Sequence, residues 1–132
     1  MQSRLNKLFL ISLVLIYLHG LEEIVTGFQL TDSFMVYFAN IFSISTETFY
    51  WVPHIIWWIS LPVLYLLLSK TKYALHLLSL YGLVFFFEVH HLAKAILSLS
   101  YYPGMVTAFF YPIFGVFYWK QVLQDWRLIK RK

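Results

Sequence analysis

The apolar run LNKLFLISLVLIYLHGLEEIVTGF, residues 5–28, decides the fold class of this chain. As a helix rising about 1.5 Å per residue, it is long enough to cross a hydrocarbon layer about 30 Å thick. The run is longer than the apolar part of a secretory signal peptide, and no cleavage pattern of small residues follows it. We therefore expect it to remain in the protein as a membrane-spanning helix.

Three further apolar runs have comparable lengths, at residues 50–69, 73–98 and 105–122. Of all 132 residues, 61% are apolar and 12% are charged, whereas about 25% are charged in ordinary soluble domains. A chain of this size cannot bury so much apolar surface away from water on its own. The sequence therefore predicts an all-α membrane protein, a four-helix transmembrane bundle that forms a single domain.

The basic residues lie at alternate ends of the predicted spans, which is the pattern of cytoplasmic segments. Nine of the ten follow this arrangement: Arg4, Lys7, Lys70, Lys72, Lys120, Arg127, Lys130, Arg131 and Lys132. The segments 31–49 and 99–104 contain none, so we expect both termini in the cytoplasm. No basic stripe with interleaved aromatic residues lies outside the helix ends, which argues against binding of nucleic acid.

The connection between the first and second spans has a helical pattern of its own. Residues 31–33 offer an N-cap, and apolar side chains then recur at helical spacing at Phe34, Phe38, Ile41 and Phe42. This pattern predicts a short helix in the outer membrane interface. Such a helix serves either as a connector or as a lid over a site.

Ionisable side chains inside spanning helices are costly to bury, so each is a candidate functional residue that needs a partner. Counting about 1.5 Å per residue, the first three predicted spans bring such residues to one level in the outer half of the bilayer. They form the candidate ligand set His19, Glu22, Glu23, His54, Glu88 and His91. His76 is expected to stand apart, near the inner edge. Lys94 either extends to the outer interface or holds an anionic head group.

The spacing of these residues is typical of metal sites in helical bundles. His19, Glu22 and Glu23 stand at positions i, i+3 and i+4, so one helix face presents all three. Glu88 and His91 stand at i and i+3 and share a face in the same way. Facing Glu-x-x-His pairs build carboxylate-bridged two-metal sites. Imidazole and carboxylate ligands suit Zn, Fe or Mn, as one ion or two, and the spacing selects none of these.

Two alternatives to the two-metal site remain open at this point. His-x-x-Glu-Glu is one substitution from the inverted zinc-protease pattern His-x-x-Glu-His, which points to a single zinc ion with a Glu as general base. Glu and His side chains also pair across membrane helices as hydrogen-bonded glue. We favour a metal, because direct pairing of three carboxylates with the imidazoles leaves surplus buried charge.

The segments HGLEE (19–23), FEVHH (87–91) and YPGMVTA (102–108) together resemble the HXXEE-motif family of bacterial integral membrane proteins. The resemblance extends from the first predicted span to the fourth. It implies that His19, Glu22 and Glu23 belong to the family motif and that the protein lies in a bacterial cytoplasmic membrane. It supplies neither a substrate nor a metal, and it leaves open whether His90 or His91 is the downstream histidine.

These observations predict a membrane-embedded metal-binding protein, and more specifically a metal-dependent enzyme that acts on a lipid or other apolar substrate. With zinc, Glu22 or Glu23 would act as the catalytic base in hydrolysis, whereas a pair of irons would favour oxidation of an apolar chain. The alternatives are a non-enzymatic protein that binds a cation or a proton, and an assembly partner with a structural polar cluster. The inner half of the predicted helices is almost free of polar side chains, which argues against transport. The oligomeric state does not follow from the sequence.

Overall fold

A computed structural model describes residues 2–68 and 70–130, and every regular element among them is an α-helix. The elements are α1 (Gln2–Thr26), α2 (Phe28–Thr31), α3 (Ser33–Ile41), α4 (Thr46–Leu68), α5 (Ala74–Tyr81), α6 (Val84–Phe87), α7 (Val89–Ser98), α8 (Met105–Ala108) and α9 (Phe110–Lys130). The predicted all-α class is confirmed for this part of the chain. Ser69, Arg131 and Lys132, which belong to the predicted spans and basic segments, lie outside the described residues.

Three helical stretches are long and apolar enough to cross a membrane: Arg4–Thr26, Thr46–Leu68 and Ala74–Ser98. They correspond to the first three predicted spans, and the third comprises α5, α6 and α7. The first ends two residues before the predicted limit at 28, because Gly27 adopts a left-handed φ of 75°. The second begins at Thr46 rather than at residue 50.

The fourth predicted span coincides with α8 and α9 but differs from the others. Helix α9 continues to Lys130, eight residues beyond the predicted limit at 122. Its later turns carry Lys120, Asp125 and Arg127, so it lacks the long uncharged stretch of the other three. The helix persists there because Val122 and Asp125 are still buried against the rest of the molecule.

The half of the molecule that contains the start of α1 and the end of α9, here called the terminal half, is filled by apolar and aromatic side chains. Helices α1 and α9 pack side by side, and α5 and α6 pack against α9. At its centre, the ring of Tyr81 meets Phe9 edge-on at 4.6 Å, and the ring of Phe85 lies 5.0 Å from that of Tyr118. These rings, together with aliphatic side chains such as Leu5 and Leu78, form the core that holds the helices together in this half.

The short helix predicted between the first and second spans is confirmed as α3. Asp32 precedes it, and its carboxylate accepts a hydrogen bond of 2.9 Å from the backbone N–H of Met35, which is the geometry of an N-cap. Helix α3 packs against α4, and α2 packs against both. This connection therefore lies across the other half of the molecule, here called the site half, which contains His19 and Glu88.

Candidate metal centre

Four ionisable side chains from two stretches of the chain meet in the site half. His19 and Glu23 lie one turn apart on α1, while Glu88 and His91 lie one turn apart where α6 gives way to α7. One ligand atom of each residue lies within 4.8 Å of those of the other three. His91 is fully buried, and His19 and Glu23 are each 4% exposed. We call these four residues the His/Glu group.

The ligand atoms of the His/Glu group are spaced like the corners of a coordination polyhedron. His19 Nε2 lies 2.9 Å from Glu88 Oε2 and 3.3 Å from His91 Nε2. Glu23 Oε1 lies 3.7 Å from His19 Nε2 and 3.2 Å from His91 Nε2. In a tetrahedral zinc site with bonds of about 2.0–2.1 Å, the ligand atoms are about 3.3 Å apart. The group therefore has the donors and the spacing to hold a metal ion.

The far nitrogen of each imidazole in the group is held by a hydrogen bond. His91 Nδ1 lies 2.6 Å from the carbonyl oxygen of Pro103, which only accepts, so Nδ1 is the donor. His19 Nδ1 lies 2.7 Å from Thr107 Oγ1, and the Thr107 hydroxyl donates to Glu22 at 2.5 Å, so His19 also donates through Nδ1. A neutral imidazole in either position then turns an Nε2 lone pair toward the group. Such bonds commonly orient metal-binding histidines.

Glu22 was predicted to be a ligand and a base, but the structure places its carboxylate outside the His/Glu group. It accepts hydrogen bonds from the backbone N–H groups of Val106 at 3.0 Å and Thr107 at 2.8 Å, and from the hydroxyl of Tyr101 at 2.9 Å. Adjacent residues on a helix point about 100° apart, so Glu22 and Glu23 meet different neighbours. Glu22 meets the first turn of α8, whose free N–H groups attract a carboxylate.

His54 was predicted to be a ligand, and it lies beside the group rather than within it. Its Nε2 atom is 3.5 Å from Glu23 Oε2, the oxygen that faces away from His19 and His91. The hydroxyl of Tyr50 donates to the same oxygen at 2.9 Å, which orients the Glu23 carboxylate. The sequence interpretation missed Tyr50, although it lies four residues before His54 and therefore shares its helix face.

The two adjacent histidines of α7 have different environments. His91 lies in the His/Glu group, whereas His90 is exposed and its Nδ1 donates to the carbonyl oxygen of Phe87 at 2.9 Å. His76 stands apart in the terminal half, where its ring lies 4.7 Å from that of Trp126. His91 is therefore the histidine of this pair that can act as a ligand.

The turn before α8 packs tightly against both histidines of the group. Gly104 has a φ of 85°, a conformation that favours glycine. A Cβ at this position would lie 2.8 Å from His91 Nδ1 and 2.9 Å from His19 Cε1. The absence of a side chain at Gly104 is therefore what allows the turn to reach the imidazoles and to offer them the Pro103 carbonyl and the Thr107 hydroxyl.

Lys94, for which the sequence left open an extension to the outer interface or the binding of an anionic head group, is paired with a carboxylate of the chain itself. Its ammonium and the hydroxyl of Tyr102 both donate to Asp32, whose side chain is 1% exposed. Burial alone would raise the pKa of Asp32, but these hydrogen bonds outweigh it and lower that pKa below its usual value. Burial and the bond to Asp32 raise the pKa of Tyr102 to about 12. This cluster joins the start of α3 to α7.

A cavity of about 480 Å³ adjoins the His/Glu group. It is lined by Glu23, Phe28, Asp32, Phe34, Met35, His54, Phe87, Glu88, His90 and Lys94. Its size suits a small-molecule ligand, and its walls combine apolar side chains with a few polar groups. Glu23 and Glu88 connect the cavity directly to the His/Glu group.

No family model, curated protein or solved structure matches this chain.

Proposed function

We propose that this chain is a four-helix membrane protein that binds one divalent transition metal ion through His19, Glu23, Glu88 and His91. The observation that carries the proposal is the convergence of four ligand atoms in the His/Glu group. In addition, the Nδ1 atom of each imidazole is already held by a hydrogen bond, which fixes the orientation of the ring. Imidazole and carboxylate donors suit Zn, Fe or Mn. The resemblance to the HXXEE family is part of the proposal, with Glu22 orienting His19 through Thr107 rather than binding the metal.

Charge accounting supports a cation at this position. The two Nε2 atoms are 3.3 Å apart, so two protonated imidazoles would direct their N–H groups at each other. Two ionised carboxylates buried in a membrane protein also need compensation. One divalent cation matches the charge of both carboxylates and uses all four lone pairs. The competing explanation is a structural hydrogen-bonded cluster without metal, in which protonated imidazoles neutralise the negative charges of Glu23 and Glu88.

We propose further that the protein is a metal-dependent enzyme and that the cavity beside the group receives a lipid or other apolar substrate. Four donors around one point favour one ion over a pair of irons, and we propose hydrolysis with zinc as that ion. A zinc ion would supply the activation of water, which needs an open coordination position. Glu88, which lines the cavity and is the most exposed of the four side chains, would yield that position to water. His54 lines the cavity and donates through Nδ1 to the carbonyl oxygen of Tyr50 at 2.7 Å, which leaves its Nε2 to accept a proton next to Glu23. It is our candidate for the catalytic base.

The proposed membrane placement adds α8 and α9 as a fourth span to the three long apolar helices. Helix α9 packs along α1, which is itself apolar enough to cross a membrane, so the two would share the bilayer. The basic residues at alternate span ends support an orientation with both termini in the cytoplasm. The bacterial membrane belongs to the proposal through the resemblance alone.

The test is elemental analysis of the full chain purified without chelator, stripped, and reloaded with Zn, Fe or Mn in turn. We expect about one metal equivalent per chain for the ion that fits, as for structural sites with a full ligand set. Glu23→Gln keeps the shape of the side chain but removes its charge, and it should retain less than about a tenth of that amount. His76→Ala is the matched control and should retain all of it. The proposal fails if the wild-type chain stays below about a tenth of an equivalent, or if Glu23→Gln binds as much as the wild type.

A further inference from the structure

A second cavity, of about 310 Å³, lies in the terminal half, far along α1 from the His/Glu group. It lies between the start of α1 and the later turns of α9, and it is lined by Arg4, Leu8, Phe117, Lys120, Gln121 and Gln124. Nothing in the proposed metal chemistry uses these residues. Basic and apolar residues occur in a corresponding order on the two helices.

On each helix, a basic side chain lies near the end of the proposed membrane span, and an apolar side chain lies one turn further into that span. On α1, Leu8 follows Arg4 by four residues, which is about 6 Å along the helix axis. On α9, which runs antiparallel to α1, Phe117 precedes Lys120 by three residues. The cavity is therefore cationic toward the aqueous side and apolar toward the membrane core. Phe117 is 61% exposed, so its ring faces the surroundings of the bundle.

The two cations of this cavity are not neutralised by the described part of the chain. Neither Arg4 nor Lys120 takes part in an ion pair among the described residues. The nearest carboxylate along α9 belongs to Asp125, which is 3% exposed and does not line the cavity. Its Oδ1 accepts from the Gln121 amide at 3.0 Å. The lining itself thus carries two positive charges, with the Gln124 amide as a further donor.

We propose that this cavity binds an anionic phospholipid from the leaflet on the side of the chain termini. The phosphate lies between Arg4 and Lys120, and the first part of an acyl chain lies against Leu8 and Phe117. Basic pockets between membrane helices on the cytoplasmic side bind anionic lipid head groups for the same electrostatic reason. The apolar side chains of Leu8 and Phe117 favour a lipid over a soluble phosphate, because a soluble phosphate would contact only the two basic residues. This lipid site does not depend on the metal site.

The experiment is native mass spectrometry of the full chain in mild detergent, titrated with phosphatidylglycerol or with phosphatidylcholine of identical chains. The wild type should prefer phosphatidylglycerol. Each basic residue contributes about a fivefold factor near a membrane surface, so Arg4→Gln with Lys120→Gln should weaken phosphatidylglycerol binding about 30-fold. The same double variant should weaken phosphatidylcholine binding less, because the choline cation offsets the phosphate charge, so the preference for phosphatidylglycerol should disappear. Arg4→Gln alone, at an exposed position, should give about a fivefold loss and serves if the double variant fails to fold.

The matched control is Lys70→Gln with Lys72→Gln, which removes the same net charge from two exposed residues outside the cavity. It should keep the wild-type preference. Equal losses in the two double variants, or no preference in the wild type, would overturn the lipid site. Glycerol phosphate added at the lipid concentration should not displace bound phosphatidylglycerol, and displacement would assign the cavity to a soluble anion instead.

Discussion

The terminal half and the site half of this molecule share helices α1 and α9 but are held together by different interactions. In the terminal half, buried aromatic rings pack in edge-on and tilted pairs, and their hydroxyls donate to nearby acceptors, as that of Tyr118 does to the carbonyl oxygen of Leu78 at 2.9 Å. In the site half, imidazoles and carboxylates face one another, and His19, Glu23 and His91 are each held by a further hydrogen bond. The stability of the terminal half therefore depends on close packing of side chains, whereas that of the site half depends on compensation of charges.

The strongest way to break this contrast is to remove a buried ligand. His91→Ala should lower metal affinity by more than about 100-fold, beyond the range expected for residues that only orient a ligand. The measurement is metal content of the purified variant together with titration of the stripped protein. Ile96→Ala is the control, since Ile96 belongs to the same helix, is 72% exposed and lines neither the His/Glu group nor its cavity, and it should stay within about twofold of the wild type. Similar losses in both variants would show that α7 is disturbed as a whole and would contradict the assignment.

Glu22→Gln should have a smaller effect on the same measurement. Glu22 acts on the metal site through Thr107 and His19, and removal of such an orienting partner typically costs about 10–100-fold in metal affinity. Glu47→Gln, at an exposed position on α4, is the charge-matched control and should leave the affinity unchanged. A loss as complete as that of Glu23→Gln would make Glu22 a ligand after all.

The cluster of Asp32, Lys94 and Tyr102 sharpens the comparison at the edge of the site half. Asp32→Asn retains a side chain that can cap α3 but weakens the bond to Lys94, and a hydrogen bond to a charged group contributes about 1.5–3 kcal/mol. Hydrogen exchange of the α3 amides should therefore become faster, while exchange in α9 stays unchanged. Equal acceleration in both helices would contradict a local role.

The pH dependence of α3 follows from the lowered pKa of Asp32. Because the folded-state pKa lies below the unfolded value, the stabilisation is fully present above the ordinary carboxyl range near about pH 4. It is lost as the pH falls from there through the lowered pKa. In the wild type, protection of the α3 amides from hydrogen exchange should decrease as the pH falls through this window. In Asp32→Asn, which has no carboxyl group at this position, protection should not change for this reason.

The smallest expected effect lies in the terminal half. The hydroxyls of Tyr81 and Ser12 are 2.6 Å apart, and Ser12 also donates to the carbonyl oxygen of Phe9. Tyr81→Phe removes one neutral hydrogen bond and should cost about 1 kcal/mol of unfolding free energy with no change in metal content. Both variants are compared with the wild type by chemical denaturation. Tyr37→Phe, at a residue that is 62% exposed, should leave the unfolding free energy unchanged. Loss of metal from Tyr81→Phe would show that the two halves are coupled.

The hydropathy pattern and helical spacing were sufficient for part of this architecture. They located the three long apolar helices, the short helix after Asp32, and a common helix face for His19 and Glu23, because all of these depend on residues near one another in the chain. The supporting roles of Tyr50 and Thr107 were not recognised, although Tyr50 lies one turn from His54 and Thr107 lies in a segment singled out for its resemblance.

Which side chains finally meet was decided only by tertiary structure. Helical spacing predicted one common face of α1 for Glu22 and Glu23. The packing of α8 against Glu22 and of α4 and α7 against Glu23 gives the two carboxylates different partners. The same holds for His90 and His91, and for Lys94, whose partner Asp32 lies 62 residues away in the chain. Local sequence sets the direction of a side chain from its own helix, while the packing of distant helices determines what it contacts.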